Sequence, residues 1–185
     1  MVRMKIELID VYCRDTEDVT GADEFYLLGA LAGGTVVKPI LTKPISINDK
    51  ERKTFPAGES VLFEGEVPQG QTVKGGIKAY DEDFAKDWAQ YGSTVTAISG
   101  GVSTVLATVG GPQGATAGAI LGAVTKGVDF FSKLDQDDLL GTTELEISAT
   151  GPAFEERSWV MSKKSGIGIS FYTWDYTLRY RITRS

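Results

Sequence analysis

The sequence predicts a mainly β protein: an eight-stranded antiparallel β-sandwich with an α-helical hairpin inserted in it. Three observations lead there. Short alternating or apolar runs recur along the chain with turn residues between them. The interval from Gly92 to Thr125 breaks that rhythm, holding no Asp, Glu, Lys or Arg and much Gly, Ala, Ser, Thr and Val. Near the C-terminus, Tyr172, Trp174, Tyr176, Leu178, Tyr180 and Ile182 alternate with residues such as Thr177, Arg179 and Arg181. An aromatic face of that kind belongs against a core.

The elements follow in chain order. Lys5 to Tyr12 alternates around Ile6, Leu8 and Val11 and reads as a strand. The acidic segment Asp15 to Glu24 reads as a loop. Phe25 to Ala32 is a short apolar run, hence a buried strand, and Gly33-Gly34 turns the chain. Thr35 to Ile47 is strand material interrupted by Pro39 and Pro44, which suits a sheet edge. Ile47 to Lys50 is a turn, Ser60 to Val67 a strand, Pro68 to Gly70 a turn and Thr72 to Tyr80 a strand. Thr143 to Ala149, Ser158 to Ser162 and Gly168 to Thr183 complete the set.

In the insert, Phe84, Trp88 and Tyr91 recur at helical spacing after Asp83, a candidate helix cap. Gly110-Gly111-Pro112 is a breaker. Gly114, Gly118 and Gly122 then fall every four residues, and Val124, Val128, Phe131 and Leu134 continue the pattern. Two antiparallel helices with a tight turn are expected, and a glycine ridge at this spacing lets helix backbones approach closely, as in a glycine zipper. The division expected is residues 1–83 and 135–185 for the sandwich and 84–134 for the hairpin.

Bulk properties narrow the function. At 185 residues the chain can bury a sizeable core. A formal net charge of -6 argues against nucleic acid as a partner, which needs a basic face. There is no His, so the commonest general base and transition-metal ligand are missing. Cys13 is the single cysteine, which leaves no intramolecular disulfide, no thiolate zinc cage and no Cys–His dyad. The N-terminal residues show no apolar signal region, so a cytoplasmic or peripheral-membrane location is expected.

The acidity is concentrated in three places: Asp15 to Glu24, Asp81-Glu82-Asp83, and Asp135 to Asp138. Carboxylates crowded near one point repel unless a cation lies among them, by roughly 4 kcal/mol per pair at 4 Å near a protein surface. Calcium takes six to eight oxygen ligands in a flexible shell. No 12-residue loop orders its ligands as an EF-hand does.

Two short motifs resemble the calcium loops of the C2 domain. Asp18-Val19-Thr20-Gly21-Ala22-Asp23-Glu24-Phe25-Tyr26 is similar to that family's first loop, Asp-x-x-Gly-x-Ser-Asp-Pro-Tyr, with Glu24 at the second acidic position and Phe25 in place of Pro. Tyr80-Asp81-Glu82-Asp83 and Asp138-Leu139-Leu140-Gly141 resemble the two parts of the third loop, with the hairpin inserted between them. The resemblance implies a C2-like sandwich of permuted topology and a Ca2+ site of Asp18, Glu24, Asp81, Asp83 and Asp138. Asp23, Asp87 and Asp135 are secondary ligand candidates. It further implies a calcium-dependent module without catalytic activity that docks on anionic lipid membrane or a protein partner, with the hairpin as effector.

Plainer readings stand beside these. The acids can be solvated loop residues, above all Asp15, Glu17, Glu82 and Asp137. Asp81 and Asp83 could serve as an acid/base pair, but no substrate-binding motif accompanies them. The hairpin can pack on the sandwich, insert in a membrane as part of a pore-forming or membrane-perturbing protein, or act as a homo-oligomer contact in a structural self-assembling subunit. A spanning helix needs ~20 apolar residues, and Ser93, Thr94, Thr96, Ser99 and Ser103 interrupt the first arm. Trp88 and Tyr91 are either interfacial anchors or core residues.

Overall fold

The computed structural model describes residues 1–16, 21–82, 91–124, 138–163 and 173–185. They form two antiparallel sheets packed face to face, a β-sandwich, with two helices laid on one of them. Sheet A contains β1 (Val2–Asp15), β5 (Arg52–Lys53), β6 (Val61–Val67), β9 (Phe154–Lys163) and β10 (Trp174–Arg184). Its order is β5-β1-β10-β9, with β6 also paired to β1. Sheet B contains β2 (Asp23–Gly33), β3 (Val36–Leu41), β4 (Ile45–Ile47), β7 (Thr72–Asp81) and β8 (Asp138–Ser148), in the order β3-β2-β7-β8, with β4 also on β2. The helices are α1 (Tyr91–Thr108) and α2 (Ala117–Val124).

The sequence expectation of eight strands becomes ten among the described residues. Pro39 and Pro44 break the edge of sheet B into β3 and β4, because proline has no N–H for the ladder. The two-residue β5 had no sequence signal. β9 is longer than Ser158 to Ser162, and β8 begins at Asp138 rather than Thr143. The aromatic face of β10 behaves as its alternation demands: Trp174, Tyr176, Leu178, Tyr180 and Ile182 all join the core between the sheets. Gly168 to Tyr172 lie outside the described residues.

β2 explains how the helices are held. Phe25, Leu27 and Leu31 face the core between the sheets, while Tyr26, Leu28, Ala30 and Ala32 face a second core under the helices. A strand covered on both faces loses its alternation and reads as a continuous apolar run. Its backbone lies close against β7, where a Cβ on Gly29 would come 2.2 Å from the Gly76 carbonyl oxygen. The second core receives Ile98, Val102 and Leu106 from α1 and Ile120, Leu121 and Val124 from α2, and Tyr26 stacks on Tyr80 with ring centroids 5.4 Å apart.

The outward residues of α1 include Ser93, Thr96, Ser103 and Thr104. Thr96 and Thr104 return their hydroxyls to the carbonyls of Gly92 and Gly100. α1 closes on a left-handed Gly110 (φ 77) with the Gly111 N–H donating to the Leu106 carbonyl at 2.8 Å. Thr116 caps α2 by accepting from the Ala119 N–H at 3.1 Å.

The expected glycine ridge is not the seam between the helices. A Cβ on Gly118 would meet the Glu144 side chain at 2.7 Å, and Gly122 faces open space. The close approach is made instead by Gly101 of α1, where a Cβ would lie 2.8 Å from the Ala123 carbonyl oxygen of α2. The turn between the helices is fastened to the start of β7. The Gln113 carboxamide accepts from the Thr72 N–H and donates to the Thr72 carbonyl at 2.9 Å, and Lys74 Nζ donates to the carbonyls of Gln113 and Ala115 at 3.1 Å. Among the described residues no helix is long and apolar enough to cross a membrane. Asp83, Phe84 and Trp88, and Val128, Phe131 and Leu134, lie outside the described residues.

Candidate metal centre

The element bounds bring four connections to one end of the sandwich: from β1 to β2, from β4 to β5, from β7 through the helices to β8, and from β9 to β10. The three acidic clusters of the sequence lie on two of them.

Strand pairing sets which acids share a face. Phe25 of β2 stands opposite Asp81 of β7, and Asp81 stands opposite Asp138 of β8. Residues directly opposed across an antiparallel pair project from the same face. Phe25 points into the core between the sheets, so Asp81 and Asp138 project from sheet B toward sheet A. Asp23, two residues before Phe25, does the same. Asp138 therefore returns beside Asp81 after residues 84–137. A register shift between Ala79 and Tyr80 accommodates the return.

Burial grades across the three. Asp23 is fully buried, Asp81 is 2% exposed and Asp138 is exposed. Asp23 accepts a hydrogen bond from the Tyr176 hydroxyl of β10, which ties sheet B to sheet A. Burial first, and Asp23 second, push the Tyr176 hydroxyl far above its ordinary pKa, which keeps it a donor. Cys13, on β1, lies against the same hydroxyl, and burial pushes its thiol up to about 12. It is a core residue and no nucleophile at neutral pH. Asp81 Oδ1 accepts the Glu24 N–H at 2.6 Å.

Glu24 stands apart from these acids in the strand. Alternation along β2 turns its side chain to the opposite face from Asp23 and Asp81, where it is exposed. Its backbone joins β2 to the end of β7, the N–H bonding Asp81 and the carbonyl accepting from the Glu82 N–H at 3.2 Å. Asp23, a secondary candidate in the sequence, shares a face with Asp81 and Asp138. Tyr176 was missed as a site residue, although its place on the core face of β10 was legible.

Other acids at this end are held by neighbouring connections. Asp49 Oδ1 accepts from the Thr16 N–H at 2.8 Å and the Thr16 hydroxyl at 2.9 Å. Asp15 accepts from the Thr173 hydroxyl at 2.8 Å, and Asp175 lies 3.5 Å from Arg14. A cavity of about 590 Å³ opens on the sheet A side, with Arg14, Lys50 and Lys163 on its rim; Asp23, Glu24, Asp81 and Asp138 do not line it.

The acids gathered on this face offer oxygen, the ligand type that suits a hard cation rather than zinc or copper. Among the described residues no three Asp, Glu or Cys side chains converge closely enough to hold an ion by themselves. Asp18, Asp83, Asp87 and Asp135 lie outside the described residues. The chain matches no known family profile and no curated protein.

Proposed function

We propose that this protein is a calcium-binding, C2-like module that engages an anionic membrane or a protein partner through its acidic loop end, with the helical hairpin as its effector element. The observation that carries the reading is the cross-strand pairing of Asp81 with Asp138, on the face that also holds Asp23. Carboxylates on adjacent strands of one face repel, and like charges directly opposite destabilise a sheet. Keeping two of them buried favours a site that takes up a cation. On this reading Asp81 and Asp138 are ligands together with Asp18 and Asp83, Asp23 replaces the Glu24 side chain, and Tyr176 and the Glu24 N–H orient the carboxylates. Calcium supplies the positive charge that lets an acidic surface meet an anionic one.

The hairpin's place supports the effector role. It leaves the sandwich directly after Asp81 and Glu82 and rejoins it at Asp138, so its two stems are continuous with the candidate ligands. Co-sedimentation with phosphatidylserine and with phosphatidylcholine vesicles tests the membrane arm. Calcium should pellet the protein with the anionic vesicles, chelator should release it, and Asp81→Asn should abolish the difference. Equal pelleting in calcium and chelator would contradict the reading.

A further inference from the structure

We propose that the chain forms a two-fold dimer by antiparallel pairing of β9 with β9 of a second copy. The inference rests on how the edges of the two sheets are finished. An open strand edge is a template for another chain, and soluble proteins blunt it with short strands, prolines, bulges, charges or a covering loop. In sheet A, β5 is two residues long. β6 carries a register shift against β1 and is abutted by the turn at Gly34, where a Cβ would lie 2.2 Å from the Glu66 carbonyl oxygen. In sheet B, β3 contains Pro39, and β4 is three residues long and follows Pro44. β8 has a register shift and presents Asp138, Glu144 and Glu146 to solvent.

Among the described residues β9 is neither short nor broken by a proline or bulge, and charges alone blunt it, at Glu155, Glu156, Arg157 and Lys163. It runs ten residues, Phe154–Lys163, without proline or glycine. It pairs with β10 in unbroken register, and among the described residues its other side has no ladder partner. Its solvent face leaves Phe154 57% and Val160 60% exposed, the two most exposed large apolar side chains after Met1 among the described residues. Near its start Glu155 accepts from Arg157 at 2.7 Å and lies 3.3 Å from Arg184.

The occupant is a second copy because the strand is complementary to itself. In an antiparallel two-fold pair centred on Trp159, Glu155 stands opposite Lys163 of the partner subunit, and this happens twice. Ser158 stands opposite Val160 of the partner subunit, also twice. Centring on Arg157 instead would set two guanidinium groups face to face. Opposite charges across an antiparallel pair stabilise it and like charges destabilise it, so the Trp159 register is the favoured one. The resulting contact is isologous and closes as a dimer, and it leaves the helices and the acidic loop end uncovered.

Sedimentation velocity of the full chain over a range of concentrations tests this, with circular dichroism and thermal melting to confirm folding. Ser158 and Val160 are exposed, so substitutions there should leave the fold intact. The wild type should sediment as a dimer that dissociates on dilution. Ser158→Lys with Val160→Lys opposes two ammonium groups at both symmetric positions and should raise the dissociation constant by about tenfold or more. Ser158→Glu with Val160→Lys opposes unlike charges at the same positions and should restore the dimer. A monomeric wild type overturns the proposal, as does a dimer indifferent to both variants or one lost equally in both.

Discussion

Two buried acids, Asp10 and Asp23, are stabilised by different chemistry. Asp10, on the outward side of sheet A, accepts from Arg179 through both oxygens and from Arg52 at 2.7 Å. The Arg179 hydrogen bond, ahead of all other influences, holds its carboxyl below the usual range. Asp10 is therefore charged in the folded state at pH values where the unfolded chain is already taking up protons. Its stabilisation is present above about pH 4 and is lost as pH falls through the depressed native value. Because both arginines remain half exposed, Asp10→Asn should cost about 1–2 kcal/mol at pH 7. In urea titrations the gap from wild type should close below pH 4. Asp23 is met by the neutral Tyr176 hydroxyl. Tyr176→Phe should destabilise by about 1–3 kcal/mol in the same titrations, because it removes a donor from a buried carboxylate. The sequence placed Asp23 and Tyr176 far apart, on a loop and on an aromatic strand face. Only the facing of the two sheets brings them together.

At the scale of elements, the glycines of the helices separate two accounts of the hairpin. A Cβ on Gly100 meets nothing, whereas one on its neighbour Gly101 lies 2.8 Å from the Ala123 carbonyl oxygen. Gly100→Ala and Gly122→Ala should each stabilise by about 0.5–1 kcal/mol through helix propensity. Gly101→Ala should melt below both, since it must push backbone aside. A glycine zipper along Gly114, Gly118 and Gly122 would make Gly122→Ala costly instead. The four-residue glycine spacing was legible but misleading, because packing is settled by which face meets the sheet, and Ile98, Val102 and Leu106 carry that face. The better signal was Phe25 to Ala32, apolar at both parities and so covered on both sides. Strand ends were the least legible. Asp23, Asp81 and Asp138 read as loop acids by composition, yet Asp23 opens β2, Asp138 opens β8 and Asp81 closes β7, where it bonds the N–H of the neighbouring strand.

Over the whole molecule, the hairpin lies along the outer face of sheet B. Its turn is fastened by Gln113 and Lys74 beside Thr72, at the end of β7 away from Asp81. An uncharged stretch of sequence thus becomes a cover for the protein's own apolar sheet. The same interval without charges had also left membrane insertion open as a second reading, because composition does not say which apolar surface a helix meets. The sandwich was legible because its periodicity is local. The pairing of Asp81 with Asp138 was legible only through the resemblance of two short motifs, since it depends on a strand register set by residues far apart. Calcium binding is the claim on which the functional account rests. Calorimetric titration with calcium, paired with melting in calcium and in chelator, tests it most directly. The account predicts saturable heat and a raised Tm, both lost in Asp81→Asn and in Asp138→Asn. A wild type that gives no heat and melts identically in calcium and chelator would contradict it.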